Sequence, residues 1–223
     1  MRIVYLCIMV MVLSVWGLSE RAAARVDVGV TIGDEGIRDF YFSMGDYYRV
    51  PEREVIIIKE RRIPDEEIPV VLFLSKRAGV PYARVIEMRR SGMPWIDITI
   101  RLGLSPEIFY VPVTVVSGPP YGKAYGHFKK KHKKEWRTIR LADDEIVNFV
   151  NLKFISDYHG YAPERVIEMR SKGKSFIAIN DEVKKVKGGK EKHKEKERED
   201  KEEWKKEKHK DKGKGKGHKK FED

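Results

Sequence analysis

The chain has 223 residues, 41% hydrophobic and 36% charged, with 46 basic against 35 acidic side chains, a formal net charge of +11 and one cysteine. A length of this order holds one or two small domains and excludes a large multidomain enzyme. The charged fraction exceeds the roughly one quarter usual for globular chains, and it gathers at the C-terminal end, so a folding body carries a charged extension.

Met1-Arg2 supplies a short positive start, Ile3 to Trp16 is an almost unbroken apolar run, and Ala22-Ala23-Ala24 offers the small residues a signal peptidase needs. Residues 1–24 therefore read as a cleaved secretory signal. The apolar run is about 14 residues, short of the roughly 20 that a helix needs to cross the hydrocarbon core, so no permanent membrane span is expected in the mature chain. Cys7 lies inside that run and would leave with it. Disulfides, thiol nucleophiles and thiolate metal sites leave too. Asn148, Asn151 and Asn180 are not followed by the residues of an N-glycosylation acceptor. These features together predict a secreted or periplasmic protein, a bacterial envelope suiting them better than a eukaryotic secretory route.

From Val26 to Ile32 the order Val, Asp, Val, Gly, Val, Thr, Ile alternates with period two, and Phe40-Tyr41-Phe42 and Val55 to Ile58 are further strand-like runs. Residues 25–63 are expected to form a small β-rich segment. A transmembrane barrel would need a succession of alternating ten-residue strands, which the rest of the sequence does not supply.

The most specific signal is a duplication. Arg84-Val85-Ile86-Glu87-Met88-Arg89 recurs without change as Arg165-Val166-Ile167-Glu168-Met169-Arg170, and at the same spacing Phe73, Ser75, Gly79 and Gly92 match Phe154, Ser156, Gly160 and Gly173, while Trp95 faces Phe176. Upstream, Asp65-Glu66-Glu67-Ile68 corresponds to Asp143-Asp144-Glu145-Ile146. Each unit, 64–116 with a following strand at Tyr110 to Val116 and 141–183, starts with carboxylates at the positive end of a helix dipole. An apolar helix follows, then a glycine stop, the RVIEMR helix, and a short helix from Trp95 or Phe176. Val85, Met88 and the following aromatic share a helical face that reads as core, and Glu87 and Glu168 with their neighbouring arginines read as surface or repeat-interface ion pairs.

Tyr82 to Phe109, with two short helices joined at Ser91-Gly92 and followed by Leu102-Gly103-Leu104-Ser105-Pro106-Glu107, resembles helix-turn-helix DNA-binding domains. The resemblance implies a packed pair of short helices. A base-reading helix would present Arg, Lys, Asn or Gln to the groove, whereas this one offers Asp97, Thr99 and Arg101 amid isoleucines. The likeness therefore bears on fold.

Ser117-Gly118-Pro119-Pro120-Tyr121-Gly122 is a strong turn signal opening a Gly/Pro and basic linker over 117–140. From Lys123 to Arg140 it holds eight basic residues against Glu135, interspersed with Tyr125, Phe128 and Trp136. Such segments engage phosphates and stack on bases or sugars, or else form a solvated connector whose aromatics tuck inward. After Val186 only Trp204 and Phe221 are large and apolar, so residues 184–223, with 18 basic and 11 acidic side chains, are expected to be a disordered Lys-rich tail.

No nucleophile elbow, phosphate loop, zinc-binding HExxH or dinucleotide fingerprint occurs, and the histidines lack metal spacing, so neither catalytic residues, metal nor cofactor are expected. The sequence thus predicts an α+β protein with a small β-rich N-terminal segment, two related short-helix repeat units and a disordered basic tail. Its expected role is noncatalytic: binding an anionic polymer or envelope component through Lys123, Lys129, Lys130, Lys131, Lys133, Lys134 and Arg137 of the linker and Lys212, Lys214, Lys216, Lys219 and Lys220 of the tail. One alternative is an assembly module docking a protein partner through the repeats. The other is an intracellular nucleic-acid binder, if the apolar start is retained.

Overall fold

Prolines set many of the helix starts. Pro51, Pro81 and Pro94 each stand just before a helix with ψ between 139° and 149°, and Pro163 is the first residue of its helix, positions where the missing N–H costs nothing. The computed structural model describes residues 34–114 and 118–188. In chain order they form α1 (Asp34–Tyr48), α2 (Glu52–Glu60), a 3-10 turn (Asp65–Glu67) leading into α3 (Ile68–Ala78), α4 (Tyr82–Arg90), α5 (Trp95–Arg101) and a 3-10 turn (Pro106–Phe109). There follow α6 (Tyr121–Lys129), a 3-10 turn (Lys133–Thr138), α7 (Asp143–His159), α8 (Pro163–Ser171) and α9 at 176–188.

The described residues contain no strand, which corrects the expected α+β class and its β-rich segment: the protein is mostly helical. Phe40-Tyr41-Phe42 lies within α1 because its neighbours Ile37, Met44 and Tyr48 complete a three-to-four-residue period that a three-residue window hides. Val55 to Ile58 is β-branched, yet only Val55 and Ile58 are buried, the spacing of one helix face; Pro51, Glu52 and Glu54 at its start and Lys59 at its end favour that helix. Residues 110–114 form neither helix nor strand. The linker is helical in α6, and α9 runs beyond Val183 to residue 188. The apolar start, Val26–Ile32 and the tail beyond 188 lie outside the described residues.

The core is built on α3 and α7, which share the most extensive helix contact. Ile68 through Leu74 are buried without interruption, so the first two turns of α3 are apolar around their whole circumference, the mark of a central helix. α4 packs on α3 as α8 packs on α7, and α5 reaches across to α7. α1 closes one side, its Phe40, Tyr47 and Tyr48 rings lying 5.8, 5.4 and 6.1 Å from that of Phe154. Gly79 and Gly160 end α3 and α7 with φ of 66° and 60°, left-handed positions that a β-carbon disfavours. Among the described residues no helix is long and apolar enough to cross a membrane.

Candidate functional site

The two repeats are joined by a reciprocal pair of clamps. Asp143, at the start of the second unit, accepts the backbone N–H of Trp95 in the first through Oδ1 at 2.7 Å. Glu66, at the start of the first, accepts that of Phe176 in the second through Oε1 at 2.7 Å. The acidic helix starts thus cap the third helix of the opposite repeat, satisfying a donor that the helix itself leaves orphaned. The remaining oxygens take the last arginine of each RVIEMR copy: Arg89 Nη1 meets Asp143 Oδ2 at 2.5 Å, and Arg170 Nη2 meets Glu66 Oε2 at 3.2 Å.

Each arginine also stacks on the aromatic that follows it in sequence, 4.6 Å over Trp95 and 4.4 Å over Phe176, and each donates Nη1 to a nearby carbonyl, that of Met93 or Lys174. Within its own repeat Arg89 donates to both oxygens of Glu67 at 2.9 Å, where Arg170 has only Asn148 Oδ1 at 3.1 Å. Burial opposes the charge of Arg89, but hydrogen bonds to Glu67 and Asp143 outweigh it and raise its pKa above the ordinary arginine value. Every charge in these clamps is matched, and Trp95 and Phe176 are fully buried. They join the two repeats.

Among the described residues, a run of unpaired cations gathers on the segment joining the repeats. Tyr121, Ala124 and Phe128 on one face of α6 are buried, with Tyr125 and Phe128 ring centroids 5.0 and 5.8 Å from Phe149 of α7. Trp136 folds back on Phe128 at 5.0 Å and donates its indole N–H to the Phe128 and Lys131 carbonyls, while Tyr125 donates its hydroxyl to the Val111 carbonyl at 2.8 Å. The aromatics therefore face the body and are not free to stack on bases. A buried carboxylate lies close by, Glu145 Oε1 standing 3.5 Å from His127 Nε2 without a hydrogen-bond partner.

With the apolar side committed, Lys123, Lys129, Lys130, Lys131, Lys133, Lys134 and Arg137 are all exposed. Among the described residues none of the seven joins a salt bridge. Lys131 reaches the Thr138 hydroxyl at 3.0 Å, and Lys133 lies 5.9 Å from the Trp136 ring. Lys212, Lys214, Lys216, Lys219 and Lys220 lie outside the described residues.

The helix-turn-helix likeness rests on α4 and α5, where Trp95, Ile96, Ile98 and Thr99 are buried. Outward stand Asp97, Ile100 and Arg101, and Asp97 is already paired with Arg140 at 3.0 Å. Among the described residues no three His, Cys, Asp or Glu side chains are grouped to hold a metal ion. Sequence reasoning did not find the crossing of the caps, nor the His127–Glu145 contact, because both join residues far apart in the chain. No protein-family model matches the chain, and neither a curated protein nor a solved structure matches it.

Proposed function

We propose that this is an exported, noncatalytic protein that binds anionic polymers of the cell envelope or its surroundings through the segment joining its two repeats, assisted by the Lys-rich tail. One observation carries this reading: the linker cations are exposed and, among the described residues, join no salt bridge, whereas the clamp arginines of the repeats are matched to carboxylates. Anchoring through α6 presents Lys129, Lys130, Lys131, Lys133 and Lys134 together on one short, ordered stretch. Ordering them in advance lowers the entropy lost when a polyanion binds. Contact is by charge alone, since the aromatics face inward, so recognition is of charge density rather than sequence and is driven by counterion release.

Heparin, a soluble sulfated polysaccharide, is a suitable probe. Its affinity for the full-length protein is expected to fall steeply with salt. Replacing Lys129, Lys130, Lys131, Lys133, Lys134 and Arg137 by glutamine should reduce the slope of log K against log salt by roughly 4, at about 0.7 per lost contact. Stability should change by no more than about 0.5 kcal/mol for each of these exposed substitutions. An unchanged slope and affinity in this variant would remove the linker from the binding surface.

A further inference from the structure

A groove of about 460 Å³ opens between α2 and α4, a volume within the range of small-ligand sites, roughly 300–1,000 Å³. Ile57 and Ile86 give it apolar walls, and Arg61 and Arg90 also line it. Ile86 is nearly buried, Ile57 is half-buried and both arginines are exposed, so the apolar surface lies deep and the cations stand at the mouth. Tyr82 also lines the groove, and its hydroxyl is committed to Glu54. Neither Arg61 nor Arg90 makes a salt bridge among the described residues.

The second repeat is an internal control. Where the groove has Ala83, Glu87, Arg90 and Ser91, the duplication places Glu164, Glu168, Ser171 and Lys172. There Glu168 is bound by Arg165 at 3.2 Å and Lys172 at 2.7 Å, and Glu164 accepts the backbone N–H and hydroxyl of Thr114 at 3.1 and 2.8 Å. The second copy of this helix, with its flanking residues, thus satisfies its outer face internally. Around the first copy, Arg61 and Arg90 make no salt bridge among the described residues and stand beside apolar surface. Folding does not require Arg90, because the second repeat builds the same helix with serine at that place.

We propose that the α2/α4 groove binds an amphipathic anion, a single hydrocarbon chain ending in a carboxylate. The carboxylate would accept hydrogen bonds from the Arg61 and Arg90 guanidiniums, which match its planar geometry, while the chain covers Ile57 and Ile86 and continues toward Ile56, 42% exposed on α2. Glu87, which also lines the groove, disfavours a second negative group and so selects a singly charged head over a more highly charged one. This site is separate from the polymer-binding segment and does not depend on it.

The test is calorimetric titration of the full-length protein with sodium decanoate below its micelle concentration, in about 0.15 M salt to screen the exposed lysines. Acetate and decanol serve as probes of the charge and the chain alone. Saturable binding at one site per chain is expected, with acetate and decanol each at least about tenfold weaker, the ratio that one modest interaction sets. The Arg61→Gln/Arg90→Gln variant and the milder Arg90→Ser, which installs the residue of the second repeat, should both weaken decanoate, the double variant by about tenfold or more. The variant with the linker cations neutralised should bind decanoate as the parent does. Decanoate that fails to saturate, binds the double arginine variant unchanged, or is lost only on neutralising the linker would overturn the proposal.

Discussion

Residues 84–89 and 165–170 have one sequence and two surroundings, and the comparison separates what this helix does for the fold from what its neighbours make of it. In both copies the valine and isoleucine are buried, Val85 and Val166 completely, and the last arginine turns under to clamp the opposite repeat. The fourth residue points outward in both. Glu168 finds Arg165 and Lys172, and these hydrogen bonds, Lys172 first, lower its pKa. Glu87 instead lines a groove with Arg61 and Arg90, which join no salt bridge among the described residues. The inner face is dictated by packing; the outer face carries whatever the adjoining element leaves room for.

The clamps are where this comparison breaks most visibly. Arg89 has two carboxylate partners and Arg170 has one carboxylate and an amide. Arg89→Met should leave Glu67 and Asp143 without their common cation and cost about 3 kcal/mol, whereas Arg170→Met strands a single carboxylate and should cost about 1–2 kcal/mol, both partly exposed pairs lying at or below the range for breaking buried ones. Urea midpoints at constant slope measure the difference. Equal losses would mean that the second carboxylate on Arg89 adds nothing.

A smaller effect with a sharper address comes from the crossed caps. Asp143→Ala and Glu66→Ala should each cost about 1–2 kcal/mol, the usual loss for a helix cap. The informative quantity is where the fold loosens. Hydrogen exchange should quicken in α5 on removal of Asp143 and in α9 on removal of Glu66, that is, in the repeat opposite to the mutation. Faster exchange confined to the mutated repeat would show that the caps do not couple the two units.

This crossing also marks the limit of what the sequence makes legible. The repeat register, the glycines that end α3 and α7 and the aromatics that begin α5 and α9 are local signals, set by backbone conformation and side-chain size within a few residues. Asp65-Glu66-Glu67 and Asp143 were readable as caps, since acidic residues suit helix starts. Which helix they cap depends on how α3 lies against α7, and chain order does not encode that. Strand-like readings of Phe40–Phe42 and Val55–Ile58 failed because three or four apolar residues do not distinguish a strand from a buried helix segment. The basic linker was legible as charge, while its anchorage through Tyr121, Ala124 and Phe128 emerges only when α6 meets α7. The groove between α2 and α4 gave no sequence signal, its two arginines being 29 residues apart.

The smallest expected effect concerns a polar inset that the second repeat has and the first does not. His159 and Asn180 stand where the first repeat has Ala78 and Thr99; both are buried, with His159 Nε2 2.9 Å from Asn180 Oδ1. Burial lowers the His159 pKa below its ordinary 6.5, the Asn180 hydrogen bond opposing that shift and Lys187 and Lys184 adding to it. An unfolded chain therefore takes up this proton more readily than the folded one. Stability from keeping the imidazole neutral is intact above the ordinary histidine value, and it drains away as pH falls from there through the lowered folded value, at a slope no steeper than about 1.4 kcal/mol per pH unit. Replacing the pair by the residues of the first repeat, His159→Ala with Asn180→Thr, should remove that contribution. Urea unfolding of the two proteins from pH 7.5 downward should then give curves that converge as the medium becomes more acidic, or cross if the swap repacks well. Curves that stay parallel would mean that His159 titrates alike in the folded and unfolded chains and that the inset is no acid-sensitive point in the second repeat.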